Sequence, residues 1–267
     1  MKYVLVTGAR GGMGQATVKN LTEAGYFCFA LDKEKGEESE NVMPIVCDIT
    51  SEDSIKEAYK RIKEVTPSLY AIIHFAGIYV FDSLVEIDNN KLDKIFKINV
   101  FGPYLINKNF LPLLDNGSRI IITTSELAVR DPLPFTGIYG ITKTTLDKYA
   151  YSLAMELQLK GIKVSVIRPG AVKTSMLEVS NEEIDKFCDN TVLYQSSSRE
   201  FRKVIDSVEA KYITPDRLAK KVGKILNKKN PRFSYAINRN KLLIMLDILP
   251  KRWRFKIIKA ILSNKEK

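Results

Sequence analysis

The sequence predicts an α/β fold in which a doubly wound parallel sheet carries helices on both faces. Apolar segments of strand length alternate with longer amphipathic segments of helical period. The first apolar segment runs into a glycine-rich turn at residues 7–14 that opens a helix. The chain has 267 residues, of which 45% are hydrophobic and 27% are charged. Length and composition therefore suit one domain with a single large core.

The alternation predicts seven strands and the helices between them. The predicted strands are residues 2–7, 26–31, 43–47, 69–75, 118–124, 162–168 and 233–237. The predicted helices are residues 13–24, 53–65, 91–114 and 137–160, the first ending at Gly25 and the last at Gly161. Thr214 and Pro215 begin another helix, because Thr is a favoured N-cap and Pro a favoured first helical residue.

Two segments lie outside this alternation. Residues 176–212 are polar and lack a clear period, which fits either a lid over a site or a surface insertion. Residues 241–267 are expected to form a basic helical extension, with helices at 241–249 and 251–262 separated by Pro250. Residues 1–240 would then form the main domain.

Cysteine usage and hydropathy exclude several classes of protein. Cys28, Cys47 and Cys188 lack a CxxC spacing, and His74 is the single histidine, so we expect neither a disulfide framework nor a metal site. The first apolar run is too short for a signal peptide, and no stretch reaches transmembrane length. We therefore expect a cytoplasmic protein.

Positive charge is concentrated near the C-terminus. Residues 217–267 carry 16 Lys or Arg and two acids, whereas residues 1–216 carry 26 Lys or Arg and 29 acids. The overall charge of +11 thus belongs to the last fifth of the chain. This asymmetry indicates an anionic partner, either a membrane surface or an acidic ligand. Nucleic-acid binding is not expected, because no recognition motif accompanies the basic residues.

The glycine turn and the end of the second strand indicate a dinucleotide site. A strand–glycine turn–helix unit brings backbone N–H groups close to a diphosphate at the helix N-terminus. Asp32 ends the second strand, where a carboxylate accepts hydrogen bonds from the adenosine ribose and repels a 2′-phosphate. This favours NAD. NADP remains the alternative, because Arg10, Lys33 and Lys35 lie nearby in the sequence and soften that repulsion.

Tyr139 and Lys143 form the strongest chemical signal. Residues i and i+4 share one helix face, so the ammonium of Lys143 is expected near the phenol of Tyr139. A nearby cation stabilises the phenolate and lowers the pKa of the tyrosine from about 10. A phenol titrating nearer neutrality exchanges protons with a substrate oxygen.

The ordered motifs resemble those of the short-chain dehydrogenase/reductase family. The Thr-Gly-x-x-x-Gly-x-Gly turn, Asn99, Ser125, the Tyr-x-x-x-Lys pair and the Pro169-Gly170 turn occur in the family's order across about residues 2–175. The resemblance implies a Rossmann-like fold and a reversible, NAD- or NADP-dependent exchange between an alcohol and a ketone. Residues 1–240 would then be a dinucleotide-binding catalytic domain.

The resemblance also implies roles for individual residues. Tyr139 is the expected proton donor and acceptor, Lys143 tunes it and binds the nicotinamide ribose, Ser125 orients the substrate oxygen, and Asn99 anchors a proton relay. The expected cofactor-binding residues are Gly8, Arg10, Gly12, Met13, Gly14, Asp32, Asp48, Ile49, Ala76, Gly77, Tyr139, Lys143, Pro169, Gly170, Val172 and Thr174. Among these, Asp48 is expected either at the adenine amino group or as the N-terminal partner of the following helix, or as both.

The chain departs from the family's pattern at three points. His74 and Phe75 replace the usual pair of asparagines before Ala-Gly, which leaves the local sheet geometry open. His74 is not expected to be catalytic, because the motif places it at the cofactor edge and Tyr139 is the better acid. The interval from Ser125 to Tyr139 is one residue longer than usual, so Thr124 is the alternative hydroxyl.

The substrate end of the site is expected to be apolar. The predicted walls are Ile78, Tyr79, Leu127, Leu133, Phe135, Ile138, Met176 and Leu177. Glu126 either binds a substrate hydroxyl or pairs with Arg130. The C-terminal helices resemble those of family members that act on hydroxysteroids and retinoids, so a hydroxysteroid is the leading expectation and a retinol or another hydrophobic alcohol the alternative.

Three further expectations concern partners and competing functions. The basic tail, with Trp253, Ile257 and Ile261 at i, i+4 spacing, is interpreted as an interfacial helix on lipid, as a helix beside the pocket, or as an ordinary docked helix. A homodimer or homotetramer is expected, because relatives pair through the helices corresponding to 91–114 and 137–160. A non-catalytic dinucleotide-binding regulator is the competing function, whereas the chain is too short for the epimerase branch.

Overall fold

The computed structural model describes residues 1–208 and 212–263, apart from the side chains of residues 175–180 and 208. Within these residues, seven strands form one parallel sheet in the order β3-β2-β1-β4-β5-β6-β7. The strands are β1 (Lys2–Thr7), β2 (Tyr26–Asp32), β3 (Val42–Val46), β4 (Leu69–His74), β5 (Leu114–Thr123), β6 (Lys163–Pro169) and β7 (Ser234–Ile237). The predicted fold class is confirmed.

Helices cover both faces of the sheet because its central strands are apolar on both sides. In β1, Val4 and Val6 pack on one face while Leu5 packs on the other, and all three are fully buried. The helices are α1 (Gly12–Glu23), α2 (Glu52–Val65), α3 (Asn89–Phe96), α4 (Gly102–Phe110), α5 (Gly137–Leu157), α6 (Ser175–Asn190), α7 (Gln195–Val208), α8 (Pro215–Leu226), α9 (Lys241–Ile248) and α10 (Lys251–Leu262). Helices α2, α4 and α5 pack on one face, and α1 and α8 on the other.

Several helix ends follow the local chemistry that the sequence predicts. Gly25 adopts a φ of +81° directly after the C-cap of α1, and Gly161 a φ of +71° after the last turn beyond α5. Thr214 caps α8 by accepting a hydrogen bond from the Arg217 N–H, and Pro215 is the first helical residue. The helix predicted over 91–114 is shorter at its end, because a 3₁₀ turn at Leu111–Leu113 leads into β5.

The segment 176–212 is more regular than its sequence indicates. Most of it is helical, in α6 and α7, which pack against each other and against α10. Phe187 of α6 and Phe201 of α7 join a small core with Phe81 and Phe135. Residues 209–211 lie outside the described part of the chain. The segment's apolar positions recur at helical spacing within a polar sequence, so the expectation that the segment lacks a period is wrong.

The C-terminal helices α9 and α10 are separated by Pro250, as predicted. Helix α10 turns Arg254, Ile258 and Leu262 inward at i, i+4 and i+8. The Arg254 guanidinium lies 3.1 Å from an Asp131 carboxylate oxygen, which ties α10 to the loop before α5. Among the described residues, no helix has the length and apolarity needed to cross a bilayer.

Candidate active site

The predicted site residues meet at the carboxyl end of the sheet, where strand order reverses between β1 and β4. Ligands of doubly wound sheets bind at such a point. A cavity of about 580 Å³ opens there. Its walls include Met13, Gly77, Ser125, Tyr139, Lys143, Pro169, Gly170, Val172 and Thr174, all of which the sequence placed in the site.

The glycine turn is packed so closely that side chains are sterically excluded. Gly8 has a φ of +65°, and a Cβ on it would lie 2.5 Å from the Ala76 nitrogen. A Cβ on Gly14 would lie 2.1 Å from the Gly8 oxygen, and one on Gly12 would lie 2.9 Å from the Thr174 Cγ2. Helix α1 has no side-chain cap at its N-terminus. Backbone without side chains therefore forms the N-terminus of α1, and such a helix N-terminus is a binding site for an anionic diphosphate.

Asp32 faces this turn from the end of β2. One of its carboxylate oxygens accepts a hydrogen bond from the Arg10 N–H at 2.9 Å. The Arg10 guanidinium turns away, donating to the Lys35 carbonyl oxygen at 2.9 Å and lying 3.5 Å from a Glu34 carboxylate oxygen. The carboxylate of Asp32 thus stands beside the turn without a guanidinium neutralising it.

Asp48 and Ile49 follow β3 at the same edge. Asp48 is exposed, and its Oδ1 accepts hydrogen bonds from the Thr50 N–H and hydroxyl at 2.8 and 2.7 Å. The N-cap of α2 is Ser51, so Asp48 shapes the turn before the helix and does not cap it. Ile49 is buried against Gly102, where a Cβ would lie 2.5 Å from the Ile49 Cδ1.

Asn99 lies at a π-helical turn, Lys97–Phe101, between α3 and α4. Its Oδ1 accepts a hydrogen bond from the Ile78 N–H at 2.8 Å, and its Nδ2 donates to the Ile78 oxygen at 3.0 Å and to the Thr142 hydroxyl at 3.2 Å. A Cβ on Gly77 would lie 3.2 Å from the Asn99 Oδ1 and 3.4 Å from the Lys143 Nζ. Asn99 therefore joins the loop after β4 to α5 beside Lys143. Turns of this type are frequent at functional sites.

Ser125, Tyr139 and Lys143 form one cluster in the cavity. Ser125 follows β5, its hydroxyl accepts a hydrogen bond from the Leu127 N–H at 3.1 Å, and its interaction with the phenol lowers the pKa of Tyr139. The Lys143 Nζ lies 5.7 Å from the centroid of the Tyr139 ring and donates to the Thr123 oxygen at 3.4 Å. The ring of Tyr79 stacks on that of Tyr139 with centroids 4.0 Å apart.

Burial dominates the protonation of this cluster. It raises the pKa of Tyr139 to about 12, against the lowering effect of the Ser125 hydrogen bond. Burial also lowers the pKa of Lys143 to about 8. The net pKa of Tyr139 is therefore above its usual value and not below it, because removing the phenol from water disfavours its charged form more strongly than its neighbours favour it.

Thr124, the alternative hydroxyl, points elsewhere. It donates to an Asp147 carboxylate oxygen at 3.1 Å. The same carboxylate accepts hydrogen bonds from the Arg168 Nε and terminal nitrogen at 2.9 and 2.8 Å. This buried group connects the ends of β5 and β6 through α5. Ser125 is accordingly the hydroxyl that contacts Tyr139.

His74 ends β4 and is buried away from the cluster. Its Nε2 lies 2.9 Å from the Asn107 Oδ1, and Asn107 donates to the Tyr149 hydroxyl at 3.1 Å. Because an amide oxygen only accepts, Nε2 carries the proton. Burial lowers the pKa of His74 to about 4. A neutral, fully buried imidazole is consistent with a structural role for His74.

The turn after β6 lines the cavity beside the glycine turn. The Gly170 N–H donates to the Ile237 oxygen at 2.8 Å, and a Cβ on Gly170 would lie 2.0 Å from the Asn238 oxygen. Val172 pairs with Ile213 through an isolated bridge. Thr174 precedes α6 and its side chain contacts Gly12, so this turn and the glycine turn touch.

The cavity walls match the prediction in part. Ile78, Tyr79, Leu127 and Leu133 line it. Phe135 and Ile138 do not, because their side chains pack into two separate cores. The side chains of Met176 and Leu177 lie outside the described residues. The sequence missed the walls that α7 and α9 supply, chiefly Phe201, Val204, Ile205, Leu242 and Leu243.

Glu126 lies in the cavity wall and is bound to protein groups. One carboxylate oxygen accepts a hydrogen bond from the Asn240 N–H at 2.8 Å, and Arg130 lies 3.8 Å away. Burial raises the pKa of Glu126, partly offset by the Asn240 N–H and by Arg130. The pairing with Arg130 is thus present, and Glu126 also holds the start of α9.

The chain is similar to known proteins. The family model described as short chain dehydrogenase matches residues 2–185. The chain is 26% identical over 233 residues to a 3-ketodihydrosphingosine reductase of Bacteroides thetaiotaomicron, covering 87% of this chain and 86% of that protein. It is 32% identical over 189 residues to estradiol 17-beta-dehydrogenase 2 of Mus musculus, covering 66% of this chain and about half, 49%, of that protein.

A solved structure extends the likeness in fold. The 3-ketoacyl-(acyl-carrier-protein) reductase of Brucella melitensis, complexed with NADH, superposes with a TM-score of 0.73 at 20% identity and covers 88% of this chain and 96% of that chain. The family match spans the glycine turn, β1 to β6 and the Ser125–Tyr139–Lys143 cluster. The chain belongs to the short-chain dehydrogenase family and is an oxidoreductase of that family.

Proposed function

We propose that the protein is an NAD(P)-dependent oxidoreductase that interconverts a secondary alcohol and a ketone by reversible hydride transfer. The observation that carries the proposal is that Ser125, Tyr139 and Lys143 line one cavity, with Lys143 one helical turn beyond Tyr139 on α5 and its Nζ 5.7 Å from the centroid of the Tyr139 ring. Hydroxyl, phenol and ammonium are the groups needed to orient a carbonyl oxygen and to exchange a proton with it.

The residues present fit a dinucleotide. Side chains are sterically excluded from the glycine turn, and the carboxylate of Asp32 stands beside it. In the proposal, Gly8, Gly12 and Gly14 hold the diphosphate, Asp32 the adenosine ribose, and Val172 and Thr174 the carboxamide of the nicotinamide. When bound, the nicotinamide supplies or accepts the hydride.

The chain's own residues handle the oxygen and its proton. Ser125 donates a hydrogen bond to the substrate oxygen and fixes its position. In reduction, Tyr139 gives its proton to that oxygen, and the ammonium of Lys143 stabilises the phenolate left behind. A pKa near 8 lets Lys143 return a proton to Tyr139. Asn99 holds the loop at Ile78 against α5 and so anchors the proton relay.

NAD is proposed as the preferred cofactor. The Asp32 carboxylate accepts ribose hydroxyls and repels a 2′-phosphate, and the Arg10 guanidinium is turned to Glu34 and Lys35. Replacing Asp32 by Ser should raise kcat/KM for NADP relative to NAD by about tenfold or more. Steady-state kinetics with both cofactors checks this, and Glu38→Ser, in the exposed loop after β2, is a control. A wild-type preference for NADP would contradict the proposal.

The substrate is proposed to be a hydrophobic alcohol or ketone, with a hydroxysteroid of bile-acid or sterol type as the leading candidate. The cavity of about 580 Å³ has the size of a pocket for one small molecule, and α7 and α9 line it with apolar side chains. The named relatives act, by their names, on estradiol and on a ketosphingoid. A retinol or another hydrophobic ketone is the alternative that the same walls would accept.

Turnover measured at the nicotinamide absorbance tests the function. The panel contains hydroxysteroids, bile acids, retinols and simple secondary alcohols, each with NAD and NADP. Activity that disappears in Tyr139→Phe, with dinucleotide binding retained, supports the proposal. Clear dinucleotide binding without turnover of any substrate would favour a non-catalytic regulator on the same fold.

The proposal extends to assembly and location. Relatives of this family commonly pair through the helices that correspond here to α4 and α5, and we propose a homodimer or homotetramer through them. We place the protein in the cytoplasm, with peripheral contact to a membrane through the basic C-terminal helices.

A further inference from the structure

The two C-terminal helices expose an unusual amount of apolar surface. Ile248 is 78% exposed, Phe255 71% and Trp253 61%. We call this surface the apolar face, and it consists of Leu242, Met245, Ile248, Trp253 and Ile261. Phe255, two residues after Trp253, lies on another side of α10. The residues from α9 are spaced i, i+3 and i+6, so they lie along one side of that helix. Soluble monomers rarely leave so many large apolar side chains together without a partner.

Cations surround this face. Lys251, Arg252, Lys256 and Lys259 are all exposed on α10. The Lys256 Nζ lies 5.6 Å from the centroid of the Trp253 ring. Between residues 241 and 263 the single acid is Asp247, which pairs with Arg130 and Arg254. Lys251 lies 3.6 Å from an Asp131 carboxylate oxygen, whereas Arg252, Lys256 and Lys259 pair with no carboxylate of the described residues. The surface therefore combines exposed apolar and aromatic side chains with three unpaired cations, the composition of helices that lie on anionic lipid.

The face is rigidly mounted. Arg254 turns inward to Asp131, and Ile258 and Leu262 pack in the core that contains Phe201. These inward contacts determine which side of α10 remains outside. The exposed stripe is thus a fixed surface of the folded protein.

The cavity opens beside this face. Lys241, Leu242 and Leu243 line the cavity, and Leu242 is also 61% exposed as part of the apolar face. Phe201 and Ile205 of α7 also line the cavity, and α10 packs on α7. An apolar molecule resting on the face is therefore next to the opening that leads to Tyr139.

We propose that the apolar face docks on the surface of an anionic phospholipid bilayer and that the protein takes its substrate from the lipid layer through the mouth beside α9. The docking stands on the exposed face and its charge, and the substrate route rests on the proposed function. The substrate class is an alcohol or ketone that partitions into bilayers. A molecule of this kind reaches the cavity without crossing water.

Vesicle flotation of the full chain tests the docking without any enzyme assay. We expect binding to phosphatidylcholine vesicles that contain one third phosphatidylglycerol, much weaker binding to phosphatidylcholine alone, and release by salt. The double variants Ile248→Ser/Trp253→Ser and Lys256→Glu/Lys259→Glu should each lower the bound fraction about tenfold. Val192→Ser and Lys19→Glu, exposed positions elsewhere, are the matched controls and should bind as wild type does.

Two outcomes would overturn the docking. One is wild-type protein that does not float with anionic vesicles. The other is an Ile248→Ser/Trp253→Ser variant that floats normally but changes oligomeric state in sedimentation, which would make the face a contact between copies of the chain.

Kinetics separates the substrate route from the chemistry. With a sterol ketone dissolved in anionic vesicles, Ile248→Ser/Trp253→Ser should lose about tenfold in rate. With a short water-soluble ketone it should match wild type, which also shows that it folds. Equal rates of variant and wild type on both substrates would overturn the route. Vesicle binding without turnover of any substrate would refute the proposed function and leave the docking standing.

Discussion

Burial sets the protonation of Tyr139 and Lys143 in opposite directions. The phenol has a pKa of about 12 and the ammonium a pKa of about 8, so at neutral pH both are protonated. A protonated phenol is a proton donor, which is the role that reduction of a ketone requires. The two residues are therefore ready for reduction at neutral pH, whereas oxidation requires the phenol to lose its proton.

The two directions should consequently respond to pH in opposite ways. We expect kcat/KM for ketone reduction to be level from about pH 6 to 8 and to fall above pH 8, where Lys143 loses the charge that stabilises the phenolate. In contrast, kcat/KM for alcohol oxidation should rise with pH from about pH 6 upward, because oxidation requires the phenol of Tyr139 to lose its proton. Initial rates with one alcohol–ketone pair measure both profiles. The Lys143→Arg variant keeps its positive charge above pH 8, so its kcat/KM for reduction should not fall there. If kcat/KM of this variant still falls above pH 8, the titrating group is a different one.

His74 makes a separate contribution, to stability. Its pKa is about 4 in the folded protein and near 6.5 when unfolded, so the unfolded chain binds more protons between these values. Stability should accordingly fall as the pH drops from 6.5 to 4, by about 3 kcal/mol in total from this group. His74→Gln keeps a donor to Asn107 and should remove that slope. Urea unfolding at several pH values compares the two proteins, and parallel curves would contradict this assignment.

At the scale of elements, the Thr124–Asp147–Arg168 group joins three parts of the site. Thr124 precedes Ser125, Asp147 lies one turn beyond Lys143 on α5, and Arg168 precedes the Pro169–Gly170 turn. The carboxylate of Asp147 is largely buried and bonds with both partners. It therefore fixes the ends of β5 and β6 relative to the helix that carries Tyr139.

Substitutions at this group can separate stability from positioning. Asp147→Asn leaves the charge of Arg168 buried and unpaired and should cost about 3–5 kcal/mol of unfolding free energy, together with a fall in kcat. The apolar double variant Asp147→Leu/Arg168→Met should recover most of that stability. If the group positions the site, kcat stays low in the double variant while KM changes little. Full recovery of kcat would show that the group only stabilises the fold.

The sequence predicted those elements whose periodicity and end signals agree. All seven strands, α1, α2, α5 and α8 lie within a few residues of their predicted positions, because apolar runs, Gly25 and the Thr214-Pro215 cap gave consistent local signals. Helices α6 and α7 were missed. Their inward residues, such as Ile184 and Phe201, are spaced among many polar ones, and they are buried by each other and by α10, which is distant in sequence.

The site shows the same division between local and long-range information. The glycine turn and the Tyr139–Lys143 pair depend on backbone geometry and spacing, both readable in the chain. The pKa of Tyr139 and the cavity walls from α7 and α9 depend on burial by distant segments. Phe135 was misplaced for the same reason: its backbone φ is +63° and its ring packs on Phe187.

At the scale of the whole molecule, the helical layer that contains α4 and α5 leaves apolar side chains exposed. Helices α4 and α5 lie side by side, with the rings of Tyr104 and Tyr149 in contact at 6.3 Å. Their outer surface retains the exposed side chains of Tyr104, Tyr151 and Met155, and the adjoining turns add Phe101 and Leu159. A second copy of the chain, related by a two-fold axis, would bury this surface against its own equivalent.

We therefore expect a particle mass of two or four times 30.3 kDa in light scattering after gel filtration. Tyr151→Glu/Met155→Glu places like charges at the contact and should shift the protein to the monomer mass, because buried unpaired carboxylates cost several kcal/mol. Val192→Glu, at an exposed apolar position between α6 and α7, should leave the mass unchanged. A wild-type mass of one chain would remove α4 and α5 as an interface. The exposed residues of α4 and α5 would then need another partner. The apolar face lies on other helices, α9 and α10, and vesicle binding tests it separately.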